Sequence, residues 1–130
     1  MKQEIDQLGY IQFDHLKWTN ELNFITKEIG IYQDRLLELF EEYDDDRVID
    51  DLSDMYDDFE IGKEQAIKIQ AEIQKHIIEN KVRTHWNGNL KTMINTIHLP
   101  TKNKLNDFVK KHADLKNRFQ RFSTLQNGNV

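Results

Sequence analysis

Apolar side chains return along this chain at every third or fourth position, and the returns fall into long ordered runs. Ile11, His15, Trp18, Leu22, Ile25, Ile29, Tyr32, Leu36, Leu39 and Tyr43 alternate steps of four and three. That is a heptad seam sustained over about four heptads. Leu16, Phe24, Leu37 and Phe40 are expected to widen it to bundle width. The spacing predicts a helix from about Asp14, a suitable N-cap, to the acidic stretch beginning at Glu41, with residues 1–10 forming a short extra turn or fraying.

The same alternation resumes through Leu52, Met55, Phe59, Gly62, Ala66, Ile69, Ile73, His76 and Asn80, with Ile67 and Ile77 alongside. Gly62 and Ala66 form a small patch. A glycine inside a helix costs up to about 1 kcal/mol against alanine, which a closely packed neighbour makes bearable; the alternative is a kink or break at Gly62. This second helix is expected to end between Lys81 and Trp86, because Asn87-Gly88-Asn89 signals a turn. Leu90, Met93, Ile94 and Ile97 predict a short helix stopped at Leu99-Pro100. A last helix, from about Pro100 or Thr101 to about Leu125, carries the seam Leu105, Phe108, His112, Leu115, Phe119 and Phe122, and residues 126–130 are expected to fray.

No strand-like alternation stands out. The expectation is therefore an all-α fold: a single domain over residues 1–130, an antiparallel up-down helical bundle of three long helices plus one short helix. Composition agrees. Of 130 residues, 38% are hydrophobic and 32% charged, with one proline and five glycines, so little of the chain is left for loops. A chain of this size buries roughly two-thirds of its unfolded surface, enough for one core.

Charge is unevenly spread. Residues 1–60 hold 18 acids against 5 Lys/Arg, and residues 61–130 hold 5 against 13, for a net charge of -5. The acidic run from Glu41 to Glu60 suits a solvated turn and the positive end of the helix that follows. It does not fit an EF-hand loop: counted from Asp44, the sixth position is Ile49 and the twelfth Met55, where glycine and glutamate are needed. The lysines and arginines of the last helix read as its wet face; with the chain acidic overall, nucleic acid is not expected as a partner. No apolar run approaches the roughly 20 residues that span a bilayer, so no membrane partner is expected.

There is no cysteine, which excludes a disulfide framework, thiolate ligands and a cysteine nucleophile. With no apolar stretch in Met1–Asp6 to suggest a secretory signal, the expected setting is cytoplasmic. No catalytic motif is found: no Gly-x-Ser-x-Gly, no phosphate loop, no dinucleotide fingerprint.

The chemistry that remains is in the histidines. His15, His76 and His112 each take a seam position that would otherwise be apolar. With the first turn centred near residue 46, antiparallel partners sum to about 92, which sets His15 beside His76. With the second helix ending near 85 and the last starting near 102, partners sum to about 187, which sets His112 beside His76 as well. Three inward imidazoles in one layer are the donor set of a bundle metal site for iron or zinc, with a position open for water or substrate. Glu72, one turn before His76, is the expected fourth ligand or orienting partner; Glu21 and Glu28 are further candidates, and His85 and His98 join if the short segment folds over. Glu-x-x-His, the motif of carboxylate-bridged di-iron bundles, is absent. The competing expectation is a non-catalytic protein-protein interaction or self-association module, a homo-oligomer or the partner of another protein, with structural histidines.

Overall fold

A computed structural model describes residues 2–82 and 94–128, with side chains over 9–78 and 94–125. Three long helices account for nearly all of it: α1, Lys2–Glu42; α2, Asp46–Val82; and α3, Leu99–Gly128, entered through a π-helical turn at Ile94–His98. No strand occurs among the described residues. At 1.5 Å per residue the helices are about 60, 55 and 45 Å long.

The acidic run forms the turn between α1 and α2 and caps the second helix. Asp45 Oδ1 accepts the Arg47 N–H at 2.9 Å, and the Asp45 carbonyl accepts the Ile49 N–H at 3.0 Å. The Asp45 side chain thus satisfies one of the donors that a helix start leaves unpaired, and its carbonyl accepts the first bond of the helix itself. α1 begins well before Asp14, at Lys2, because nothing in the first ten residues breaks a helix. α2 runs through Gly62 without interruption.

The seams read from the sequence form the core. Leu22, Ile29 and Leu36 of α1, Leu52, Met55, Phe59 and Ile73 of α2, and Leu105 of α3 are fully buried. The positions expected to widen the α1 stripe divide. Phe40 packs partly buried against the core, whereas Leu16, Phe24 and Leu37 are exposed, at 62%, 62% and 49%. They sit well round the helix from the seam, and three helices cover only the seam itself.

Pro100 does not separate two helices. It has no N–H to give to the carbonyl four residues back, and its ring crowds that carbonyl. The wider π turn at Ile94–His98 absorbs both effects before α3 proper begins at Leu99. Just after it, Thr101 Oγ1 donates to the Ile97 carbonyl at 2.8 Å. What the spacing marked as a short separate helix is, over its described part, the first turn of the last long one; Leu90 and Met93 lie outside the described residues, as does the predicted turn at Asn87-Gly88-Asn89.

Specific pairs set the relative register. Across α1 and α2, Tyr32 stacks on Phe59 at 5.3 Å, and buried Gln33 donates through Nε2 to Glu60 Oε2 at 2.7 Å; the paired numbers sum to 91 and 93, as expected. Across α2 and α3, Glu72 meets Lys104 and Asp58 meets Arg118, both pairs summing to 176 rather than 187. The difference of eleven residues is about three helical turns. It arises because α3 is helical from Ile94 on and reaches the end of α2 with its own first turn. No helix among the described residues is long and apolar enough to cross a membrane.

Candidate functional site

The register shift changes which histidines meet. His98 lies on the α3 seam, two heptads before His112, and it is His98 that arrives beside His15. Their ring centroids are 5.5 Å apart, with the planes tilted by 57°. His76 of α2 stands close enough to His15 to act on it electrostatically. Trp18, one turn along from His15, stacks on His98 at 4.7 Å and lies 5.6 Å from the His15 ring. The imidazoles of His15 and His98 therefore share one layer, with an indole closing one side and His76 near enough to bear on His15.

Two features give the layer its electrostatics. His98, buried, donates Nε2–H to Asp14 Oδ2 at 3.0 Å. In the neutral ring this leaves the lone pair on Nδ1, and that atom is buried with no hydrogen-bond partner among the described residues. Such atoms are uncommon and call for a physical reason. His15 is pushed down to about 4, chiefly by burial and then by the neighbouring His98 and His76, with Asp14 opposing. At neutral pH its imidazole is uncharged, the form that ligates metals.

The other residues singled out by spacing lie elsewhere. His112 is not in the layer. It sits 14 residues along α3 from His98, about 21 Å away along the helix, between Phe59 and Phe108, with its Nε2 donating to Glu28 Oε1 at 3.0 Å. Glu28 also accepts from Lys116 Nζ at 2.8 Å. Burial raises the Glu28 carboxyl, but the hydrogen bonds from Lys116 and His112 outweigh it and hold the group below its ordinary value. The same carboxylate raises Lys116. A half-open groove of about 380 Å³, floored by Ile29, Phe59, Gly62 and Phe108, opens beside this pair. Glu72 points to the surface and pairs with Lys104 at 3.2 Å; Glu21 stays half-buried beside the seam. His85 lies outside the described residues.

The sequence carried a signal for His98 that the assumed break at Pro100 hid. The last seam continues backward from Leu105 through Thr101 to His98 with the same steps of four and three, and all three are buried. Asp14, read as an N-cap, is instead the acceptor that orients His98.

Chemically, the layer offers soft-to-borderline nitrogen donors in a mostly dry setting. As they stand, no three or more His, Asp or Glu side chains among the described residues are arranged to hold a metal ion. No family model matches the chain, and neither a curated protein nor a solved structure matches it.

Proposed function

We propose that this protein is a small helical bundle of up-down topology that binds one transition-metal ion, iron or zinc, through His15, His76 and His98. The observation that carries the reading is the buried, unpartnered Nδ1 of His98, on a ring whose other nitrogen is held by Asp14. A carboxylate that takes the outer N–H of an imidazole fixes its tautomer and makes the inner nitrogen a better ligand. A centroid separation of 5.5 Å is close to that of two imidazoles on one tetrahedral ion, about 5 Å for bonds of about 2.0–2.1 Å. Binding requires the rings to turn about their outer torsions, which are broad and soft for histidine. Glu72 and His112, engaged with Lys104 and Glu28, have no part in it. Three nitrogen donors leave a coordination position open, which suits sensing, storage or oxygen chemistry. A reducing, cytoplasmic setting belongs to the proposal and rests on the cysteine-free sequence.

The test is elemental analysis and a visible spectrum of untagged protein purified without chelator, followed by reconstitution with iron or zinc. The expected result is about one equivalent of metal, lost in His98→Ala and kept in His112→Ala. No uptake after reconstitution, or uptake indifferent to His98→Ala, overturns the reading. The alternative, an interaction module, is favoured by a separate observation on the outer face of α1.

A further inference from the structure

The side of α1 turned away from Leu22 and Ile29 is itself patterned. Phe13, Phe24 and Ile31 lie on it, exposed at 64%, 62% and 68%, with exposed Leu16 beside them. Phe13 and Ile31 are 18 residues apart, about five turns, so they stand directly in line. A row of large apolar side chains held in water along one helix marks a contact surface. The charges along the same face are unevenly spread: Lys17 and Lys27 come first, then Asp34, Arg35 and Glu38, with Arg35 already paired to Glu38.

We propose that this face binds a second copy of the chain, laid antiparallel along α1. The order of the charges selects the occupant and its direction. With Phe24 of each copy against Ile31 of the other, Lys17 comes level with Glu38 at both ends of the contact. A parallel copy would set Lys17 on Lys17 and Glu38 on Glu38. A two-fold interface must be self-complementary, and a stripe basic in its first half and net acidic in its second, Arg35 included, meets that requirement better antiparallel than parallel. Glu38 already holds Arg35 at 2.8 Å, but both side chains are exposed, and a surface pair of that kind exchanges readily. Lys27 falls near the two-fold axis, where its aliphatic stem lies along the rings and its ammonium reaches water. From Phe13 to Glu38 the stripe is about 38 Å long.

Sedimentation velocity of the full chain, across concentration and salt, tests the assignment. The expected result is a reversible dimer of twice the monomer mass that weakens as salt rises and ignores chelator, which keeps this outcome separate from that of the metal reading. Phe24→Glu, and independently Ile31→Glu, are expected to give a monomer with unchanged helicity, because neither side chain is in the core. Lys17→Glu is expected to weaken the dimer at least several-fold, and Lys17→Glu with Glu38→Lys to restore it. A chain that is monomeric at every concentration overturns the proposal and leaves the face to a different partner. A dimer unaffected by Phe24→Glu, or a charge swap that fails to restore association, overturns it as well.

Discussion

Asp14 and His98, 84 residues apart in the chain, meet at 3.0 Å, and the same relationship recurs two heptads on, where Glu28 meets His112 at 3.0 Å with the same separation of 84. In each pair a carboxylate of α1 faces a buried histidine of α3. Buried carboxylate–imidazole pairs of this kind add little net stability once desolvation is counted. They do penalise a register in which the carboxylate or the imidazole is left alone. Repeated at a spacing of fourteen on both helices, they admit one alignment of α1 with α3.

Removing one partner exposes that penalty. Asp14→Ala leaves the Nε2–H of His98 buried with no acceptor, at a cost of about 1–3 kcal/mol, measurable as a lowered midpoint in urea. If His98 ligates a metal, the same change also lowers its affinity for zinc by roughly 10–100-fold. A stability loss of this size with unchanged zinc affinity would leave Asp14 a purely structural acceptor.

Acid should act on this protein in two windows. His15 stays neutral in the fold down to about 4, whereas in the unfolded chain it takes a proton near 6.5. The stability it contributes is complete above 6.5 and is lost as pH falls toward 4, up to about 3 kcal/mol in all for the metal-free protein. Glu28, held below its ordinary 4.5, contributes above that value and loses its contribution lower still. Denaturant midpoints measured from pH 7.5 to 3.5 should fall in both ranges. His15→Phe should flatten the upper limb and Glu28→Gln the lower one; an upper limb unchanged in His15→Phe would assign that loss to another group.

Two phenylalanines separate what the heptad spacing revealed from what it did not. Phe59, 0% exposed and stacked on Tyr32, should cost about 3–5 kcal/mol when cut to alanine. Phe24, equally apolar and on an equally regular helix, is 62% exposed, and Phe24→Ala should leave monomer stability within about 0.5 kcal/mol. Thermal melts of the two variants in dilute solution check the contrast.

The difference between those residues is where sequence reasoning reaches its end. A seam of alternating threes and fours states which face of a helix is covered, and among the described residues every fully buried side chain of α1 and α2 lies on the seam read for it. The turn near residue 46 was legible too, because a short acidic run joins the two helices directly and so sets their register, though the capping role of Asp45 was not read from it. The register of α3 was not. It depends on whether Pro100 ends a helix or is absorbed by one, and a π turn is invisible to a periodicity that assumes 3.6 residues per turn. An error of eleven residues kept the face and lost the height, so His112 stood where His98 belongs. Leu16, Phe24 and Leu37 were misplaced for a different reason: apolar spacing does not say how many neighbours a helix has.

Gly62 offers the last check, because packing around it is specific. A Cβ added there meets a single neighbour, Ile29 Cδ1, at 3.6 Å, which is ordinary contact, and nothing lies within 4 Å of a Cβ added at Gly30. Neither glycine adopts a positive φ. Close approach of a helix therefore does not require Gly62, and the propensity cost of a glycine within α2 goes uncompensated by packing. Gly62→Ala and Gly30→Ala should each stabilise the fold by roughly 0.5–1 kcal/mol, raising Tm by a few degrees, with the double variant close to additive only if the two sites do not share Ile29. A Gly62→Ala variant that melts lower instead would mean that contact with Ile29 outweighs the helix propensity gained.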